Sequence, residues 1–335
     1  MSATRTRGCR TIGWLPRTAL ACAAVWAVGW RGQPPPLSAV SFDPGKADFT
    51  IAYNNEVSSF RAAAAVVLPG ATMTLEVAAG PAGDYTMTTK TGAVNPYAPR
   101  KWRWHAPTEP GEYELRIEGS KTRDAIHLHV FVMVPASAVR DGMLNGYRIG
   151  QYPDRPLNGS AAYRTPAGFI EVTKQNENTN VSPHFRLKQF VCKQAPSDQY
   201  PKYIVLHERL PLKLEAVLEL VNSLGFDAET LYVMSGYRTP SYNRAIGDVP
   251  YSMHQWGSAA DVFIDTRNKG VMDDLTRDGR VDIQDSKSLY DDVDRMLARP
   301  GFGRLEGGMG YYPATSAHPP FVHIDVRGTK ARWKG

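Results

Sequence analysis

Between Asp124 and Pro135 the chain reads DAIHLHVFVMVP, in which every second residue from Ile126 to Val134 is a branched aliphatic. Strand side chains point to opposite faces in turn, so Ile126, Leu128, Val130, Val132 and Val134 share one face. That period of two commits the segment to a sheet with a buried side. His127 and His129 fall on the opposite face. Paired histidines on a strand can bind a metal, but their setting reads as an exposed polar face.

The same pattern recurs upstream. DFTIAYNNEV, TMTLEVAAG, YTMTTKTG, KWRWHAP and GEYELRIEGS are short alternating or β-branched runs broken by Gly, Pro and Asn turns. Six or seven such strands within residues 37–136 predict an all-β sandwich of the Ig-like kind. APTEPGEYELRI, 106–117, resembles the late strands of bacterial Ig-like modules. Residues 137–181, rich in Gly, Asn and Pro, read as a connector. From residue 182 to the C-terminus the rhythm changes. PLKLEAVLELVNSLGFD is a helix with Pro211 in its first turn. Leu214, Val217, Leu218, Val221 and Leu224 form its stripe, and Gly225 is its stop. LYVM (231–234), DVFID (261–265) and FVHIDVRG (321–328) read as strands, and LYDDVDRMLARPG (289–301) as a helix. Helices and strands without a strict βαβ order predict an α+β domain, a small antiparallel sheet with helices.

The N-terminus carries a different signal. Arg5, Arg7, Arg10 and Arg17 precede the apolar run TALACAAVWAVGW, and RGQPPPLS follows. Residues 1–36 therefore read as a signal peptide or a short membrane anchor. The run is short of the roughly 20 residues of a full span. The implied location is exported: periplasm or cell envelope, with inner-membrane anchoring as the uncleaved variant. Of the three cysteines, Cys9 and Cys22 lie in this leader and Cys192 stands alone in the body. The body has no disulfide pair and no cysteine zinc cluster, so any metal must use His and carboxylates. The net charge of +6 suits an anionic partner. No nucleic-acid motif accompanies it, and nucleic acid is not expected as a partner.

The chemistry concentrates in SMHQWGSAADVFID, 252–265. His254 lies in a loop, Gly257 makes a turn, and Asp261 enters a strand beside the small residues Ser258, Ala259 and Ala260. His323 in FVHIDV is the natural third ligand. Two histidines and one carboxylate leave a fourth zinc position open to water. Bound zinc brings the pKa of that water to roughly 7. Taken singly, each residue reads as structural.

SGYRTPSYN, SMHQWGSAAD and FVHID together resemble the M15 peptidases, zinc D-Ala-D-Ala carboxypeptidases and peptidoglycan endopeptidases. VSPHFRLKQFVC, 181–192, resembles the start of that domain in the exported subgroup. The resemblance spans about residues 180–330. It implies His254, Asp261 and His323 as zinc ligands. It implies Arg238 on the substrate carboxylate or oxyanion. Ser252 and Tyr237 match neighbouring substrate-side positions. Many members carry Glu three residues before the last His, where this chain has Pro320. Asp325, on the same strand face as His323, is the first substitute as base or ligand orienter. His318 is the second and Glu306 the third.

DLTRDGRVDIQD, 274–285, places Asp274, Thr276, Asp278, Asp282 and Asp285 at positions one, three, five, nine and twelve of a loop, with Gly279 at six. It resembles an EF-hand or dockerin calcium loop, Arg280 contributing its carbonyl. A structural Ca²⁺ in an insertion is the expectation. The expected activity is hydrolysis of peptidoglycan stem peptides or cross-links, with wall or envelope proteins as partners of the Ig-like part. The competing reading is a non-catalytic, zinc-containing wall-binding or adhesion module.

Overall fold

The alternating run becomes β9, Ala125–Val132, in a computed structural model that describes residues 42–335. The leader and the first residues of the β module, 37–41, lie outside the described residues. Eight strands precede it: β1 Lys46–Tyr53, β2 Glu56–Phe60, β3 Ala62–Val67, β4 Thr72–Ala79, β5 Tyr85–Thr89, β6 Ala93–Ala98, β7 Lys101–His105 and β8 Gly111–Gly119. They form two sheets, in the orders β2-β1-β4-β7-β6 and β3-β9-β8-β5. Phe49, Ile51, Leu75 and Trp104 of the first meet Ala65, Leu115, Ile117 and Leu128 of the second in one core. The β3–β9 pairing is parallel.

Val134 departs from the expected stripe. β9 ends at Val132, and Val134 pairs instead with Phe169 and enters a different core. His127 and His129 do face outward, where they pair with Glu114 and Glu112.

The second core begins on the outer face of β3 and β9. Ala64 and Phe131 are buried there among Phe169, Phe185 and Leu187. Residues 137–181 are thus more than a connector. Their strand Gly168–Val172 pairs with both Val134–Pro135 and Lys202–Ile204. Helix α1, Arg209–Ser223, buries Leu210, Leu214, Val217, Leu218 and Val221. Leu224, expected in the stripe, is exposed because it caps the helix. Gly225 follows at φ +85°, the left-handed conformation that ends helices. Helix α2 is short, Pro240–Ala245, and α3 runs Ile283–Leu297.

A five-stranded sheet carries the site. Its order is Tyr232–Ser235, Ala259–Phe263, Phe321–Asp325, Gly308–Tyr312, Ala331–Lys334. All pairs are antiparallel except the last. Helix α3 packs on its two strands Gly308–Tyr312 and Phe321–Asp325. The architecture is α+β. Cys192 is free and buried.

Polar ties cross between the β module and α1. Arg209 holds Glu56 at 2.5 Å. Glu208 Oε1 accepts from Asn54 Nδ2 at 2.8 Å and from the Val66 amide at 2.7 Å. Burial pushes Glu208 up to about 7, and those two donors only partly offset it. The folded chain therefore holds a proton that the unfolded chain releases. Stability is highest below pH 4.5 for this group and falls as pH rises to about 7. The loss is on the order of 3 kcal/mol. Glu208→Gln keeps an acceptor oxygen and removes the titration. Urea melts should show a flatter stability slope between pH 5 and 7 in the variant. Equal slopes in both proteins would contradict this account.

Candidate metal centre

Three local devices bring the site together. The first is register. Asp261 sits directly across from His323 on neighbouring antiparallel strands, which places their Cβ atoms roughly 5 Å apart. The second is the turn before that strand. His254 lies in the one-turn segment Met253–Trp256, closed by Gly257 at φ +61°. A Cβ at Gly257 would stand 2.1 Å from the Val205 carbonyl oxygen, so only glycine fits. The third is the loop after Tyr232–Ser235, which delivers Arg238.

The donor atoms form a tight triangle. His254 Nε2 is 3.1 Å from Asp261 Oδ1 and 3.2 Å from His323 Nδ1, and His323 Nδ1 is 3.0 Å from the same oxygen. Donors at about 2.1 Å from one tetrahedral centre stand roughly 3.4 Å apart. Among the described residues this is the one group of three or more His, Cys, Asp or Glu side chains that gathers in this way.

The back sides of the rings fix the tautomers. His254 Nδ1 donates to the Gly236 carbonyl at 2.7 Å. His323 Nε2 faces Asp325 Oδ2 at 3.3 Å. When both rings are neutral, each imidazole points its lone pair at the other, so the pair is held together by a shared proton or by a metal cation between them. Burial holds His254 below its ordinary value, with Arg238 and His323 adding to the effect and Asp261 opposing it. For His323 burial also disfavours the charged form, but Asp261 and Asp325 outweigh it and push the ring up to about 8. Asp261 is desolvated, yet the two imidazoles and Arg238 keep it well below the usual carboxylate range. Two His and one Asp with inward lone pairs suit zinc.

Arg238 Nη2 donates to Asp261 Oδ2, Nη1 to Asp248 at 2.7 Å and Nε to Ser235 Oγ at 2.8 Å. The cluster lies in a cleft of about 680 Å³. Tyr163 and Tyr251 make one aromatic group of its lining. Tyr312, Phe321 and Trp333 make another, with Trp333 Nε1 donating to Tyr312 at 2.7 Å. Ser252 and His318 also line the cleft.

Three expectations need correction. Asp325 is not placed as a base. It lies behind His323, on the ring edge away from the cluster, and is fully buried. Arg327 Nε binds both its oxygens at 2.9–3.0 Å, and the Gly308 amide donates at 2.7 Å. Its role is to orient His323. The buried Lys213 donates to its carbonyl at 2.8 Å, with burial pushing the lysine down to about 8. Tyr237 does not reach substrate space. It is buried, and its hydroxyl meets that of Tyr152 at 3.0 Å. Glu306 pairs with Arg332 outside the cleft.

In the 274–285 loop Thr276 Oγ1 lies 3.4 Å from Asp274 Oδ1 and 3.3 Å from Asp285 Oδ1, but the loop's acidic side chains do not form a metal-ligating group among the described residues. Asp274 accepts from the Asp278 and Gly279 amides, Asp278 from Arg280, and Asp282 from Gln284 as the N-cap of α3. Asp285 accepts from Leu275, Thr276 and Asp282. These bonds hold the turn that starts α3, and beyond the spacing of the loop calcium is not supported.

The sequence reading missed Asp248, Arg327, Trp333, Tyr163 and Tyr251. Only Arg327 and Trp333 lie close enough to FVHID to have drawn notice.

Residues 183–289, about a third of the chain, match the model of the family described as Peptidase M15. The match takes in Arg238, Ser252, His254 and Asp261 and ends before His323. It supports the M15 peptidases for the segment that builds most of the site, and these are zinc-dependent enzymes. No curated protein matches the chain. A solved structure, a nucleoside hydrolase-related hypothetical protein from Saccharophagus degradans associated with carbohydrate metabolism, aligns at 13% identity. The alignment covers 26% of this chain and 25% of that one, and its TM-score of 0.20 carries no argument.

Two variants test the geometry. Gly257→Ala should destabilise the fold by at least ~2 kcal/mol, because strain and a backbone clash combine. An unchanged Tm would refute the turn assignment. Asp325→Asn should weaken zinc binding about 10- to 100-fold in chelator competition, with the fold retained by circular dichroism. Unaltered zinc affinity would remove the orienting role.

Proposed function

We propose that this protein is a zinc metallopeptidase acting on peptide bonds in peptidoglycan stem peptides or cross-links. The observation that carries the reading is the lone-pair-inward His254–Asp261–His323 triangle in an open cleft, within and beside the segment that matches the M15 peptidases. Zinc held there would polarise the scissile carbonyl and supply hydroxide at neutral pH.

The chain's own residues supply the rest. Arg238 keeps Asp261 oriented and presents its remaining N–H groups to the carbonyl oxygen as charge develops on it. Ser252, at the cleft wall, donates to the peptide backbone. With Asp325 behind His323 and Pro320 in place of the carboxylate many M15 members carry, His318 is the group left to carry the proton. Its Nδ1 lies 2.9 Å from the Pro319 carbonyl, and the residue lines the cleft.

The basic leader and the net charge of +6 support export to the periplasm or cell envelope and action on an anionic wall polymer. Among the described residues no helix is long and apolar enough to cross a membrane. The two-sheet β module, with its parallel β3–β9 edge, is of the Ig-like kind in this reading and holds a wall or envelope partner. One observation favours the competing reading, a zinc-containing wall-binding module: among the described residues no carboxylate outside the metal triangle and the Arg238 pair lines the cleft to act as base.

Purified wall muropeptides separate the two. Cleavage should stop on chelation, return with zinc and vanish in His254→Ala. His318→Ala should lower kcat by about 10²-fold with KM little changed. No cleavage by fully zinc-loaded protein would sink the enzyme reading.

A further inference from the structure

Arg238 is the cation nearest the metal triangle, and the structure shows it already engaged on the cleft side. Its Nη1 binds Asp248 Oδ2 at 2.7 Å, while Asp248 Oδ1 accepts the Val249 amide at 2.8 Å. The Asp248 carboxylate is therefore fixed at both oxygens. Asp261, the other partner of Arg238, is committed to the triangle. Asp248 has no such duty, and both it and Arg238 line the cleft.

We propose that Asp248 sets the bond preference of this cleft: by occupying Arg238 it disfavours a free carboxylate next to the scissile bond and directs the protein to internal peptide bonds. The proposal rests on the peptidase reading above and deepens it.

The physical argument is a count of charge and of hydrogens. One guanidinium shares its single charge between two carboxylates. A substrate ending just past the scissile bond would bring a third carboxylate alongside Asp248, and like charges sharing one site oppose each other. A peptide carbonyl brings no charge. Guanidinium has five N–H groups, and each terminal nitrogen of Arg238 has a second hydrogen beyond the one engaged. A neutral carbonyl can accept from these without displacing Asp248.

The test uses the zinc-loaded full chain and pairs of peptides that differ at one point. One member ends as a free acid at the residue after the scissile bond, and the other continues as an amide. Wild type should show kcat/KM at least tenfold higher for the amide. Asp248→Asn and Asp248→Ser should each raise the free-acid to amide ratio of kcat/KM at least tenfold. A wild-type preference for the free acid, or an unchanged ratio in both variants, would overturn the proposal. Calorimetry with the same pairs carrying a reduced, uncleavable bond gives a readout without turnover. The variants should bind the acid-ended peptide at least tenfold tighter than wild type, and equal affinity would overturn the proposal. Should no peptide be cleaved, the peptidase reading fails while the binding comparison still decides the role of Asp248.

Discussion

The site depends on one buried carboxylate. Asp261 Oδ1 faces both imidazoles and its Oδ2 faces Arg238, so a single side chain couples the metal triangle to the cleft's substrate-side cation. Buried charges are costly unless each is met by a partner in good geometry. Here the strand register meets that demand first, by setting Asp261 beside His323. A slip of one residue would turn Asp261 to the other face of the sheet and empty the site.

Outer groups hold the three donors from behind. Gly236 anchors His254, Asp325 anchors His323, and Arg327 and the Gly308 amide anchor Asp325. Lys213 reaches from α1 to the same strand. The site is thus built on α1, and α1 is tied in turn to the β module through Arg209–Glu56 and Glu208. In this way the outer face of β3 and β9, with Ala64 and Phe131, supports the domain that carries the chemistry.

Much of this was legible in the sequence, for identifiable reasons. Regular apolar spacing announced β9 and α1. Two of the proposed ligands, His254 and Asp261, stood out with Gly257 because a turn and a strand fix them locally in sequence, while His323, 62 residues beyond Asp261, was picked out by its own strand segment FVHID. What failed was non-local. β3 is alanine-rich, with little intrinsic preference for a strand, and it forms because β9 pairs along its edge and the two cores cover its two faces. Val134 broke its stripe because the chain leaves the sheet one residue earlier. Asp325 shares a strand face with His323, as spacing required, but which ring edge it meets is decided by Arg327 and Gly308. The acidic 274–285 loop has a calcium-loop spacing, yet the same spacing serves to cap a helix, and the amides of α3 and its turn claimed the oxygens. Asp248 carried no motif at all; its meaning comes from the Arg238 side chain ten residues away.

The central claim is that His254, Asp261 and His323 hold one zinc ion. X-ray absorption at the zinc edge on the purified, zinc-loaded chain tests it most directly. The account predicts one zinc per chain, with two imidazole nitrogens and light oxygen donors at about 2.0–2.2 Å, and loss of that signature in Asp261→Ala. A site with sulfur donors, or an unchanged spectrum in Asp261→Ala, would contradict it.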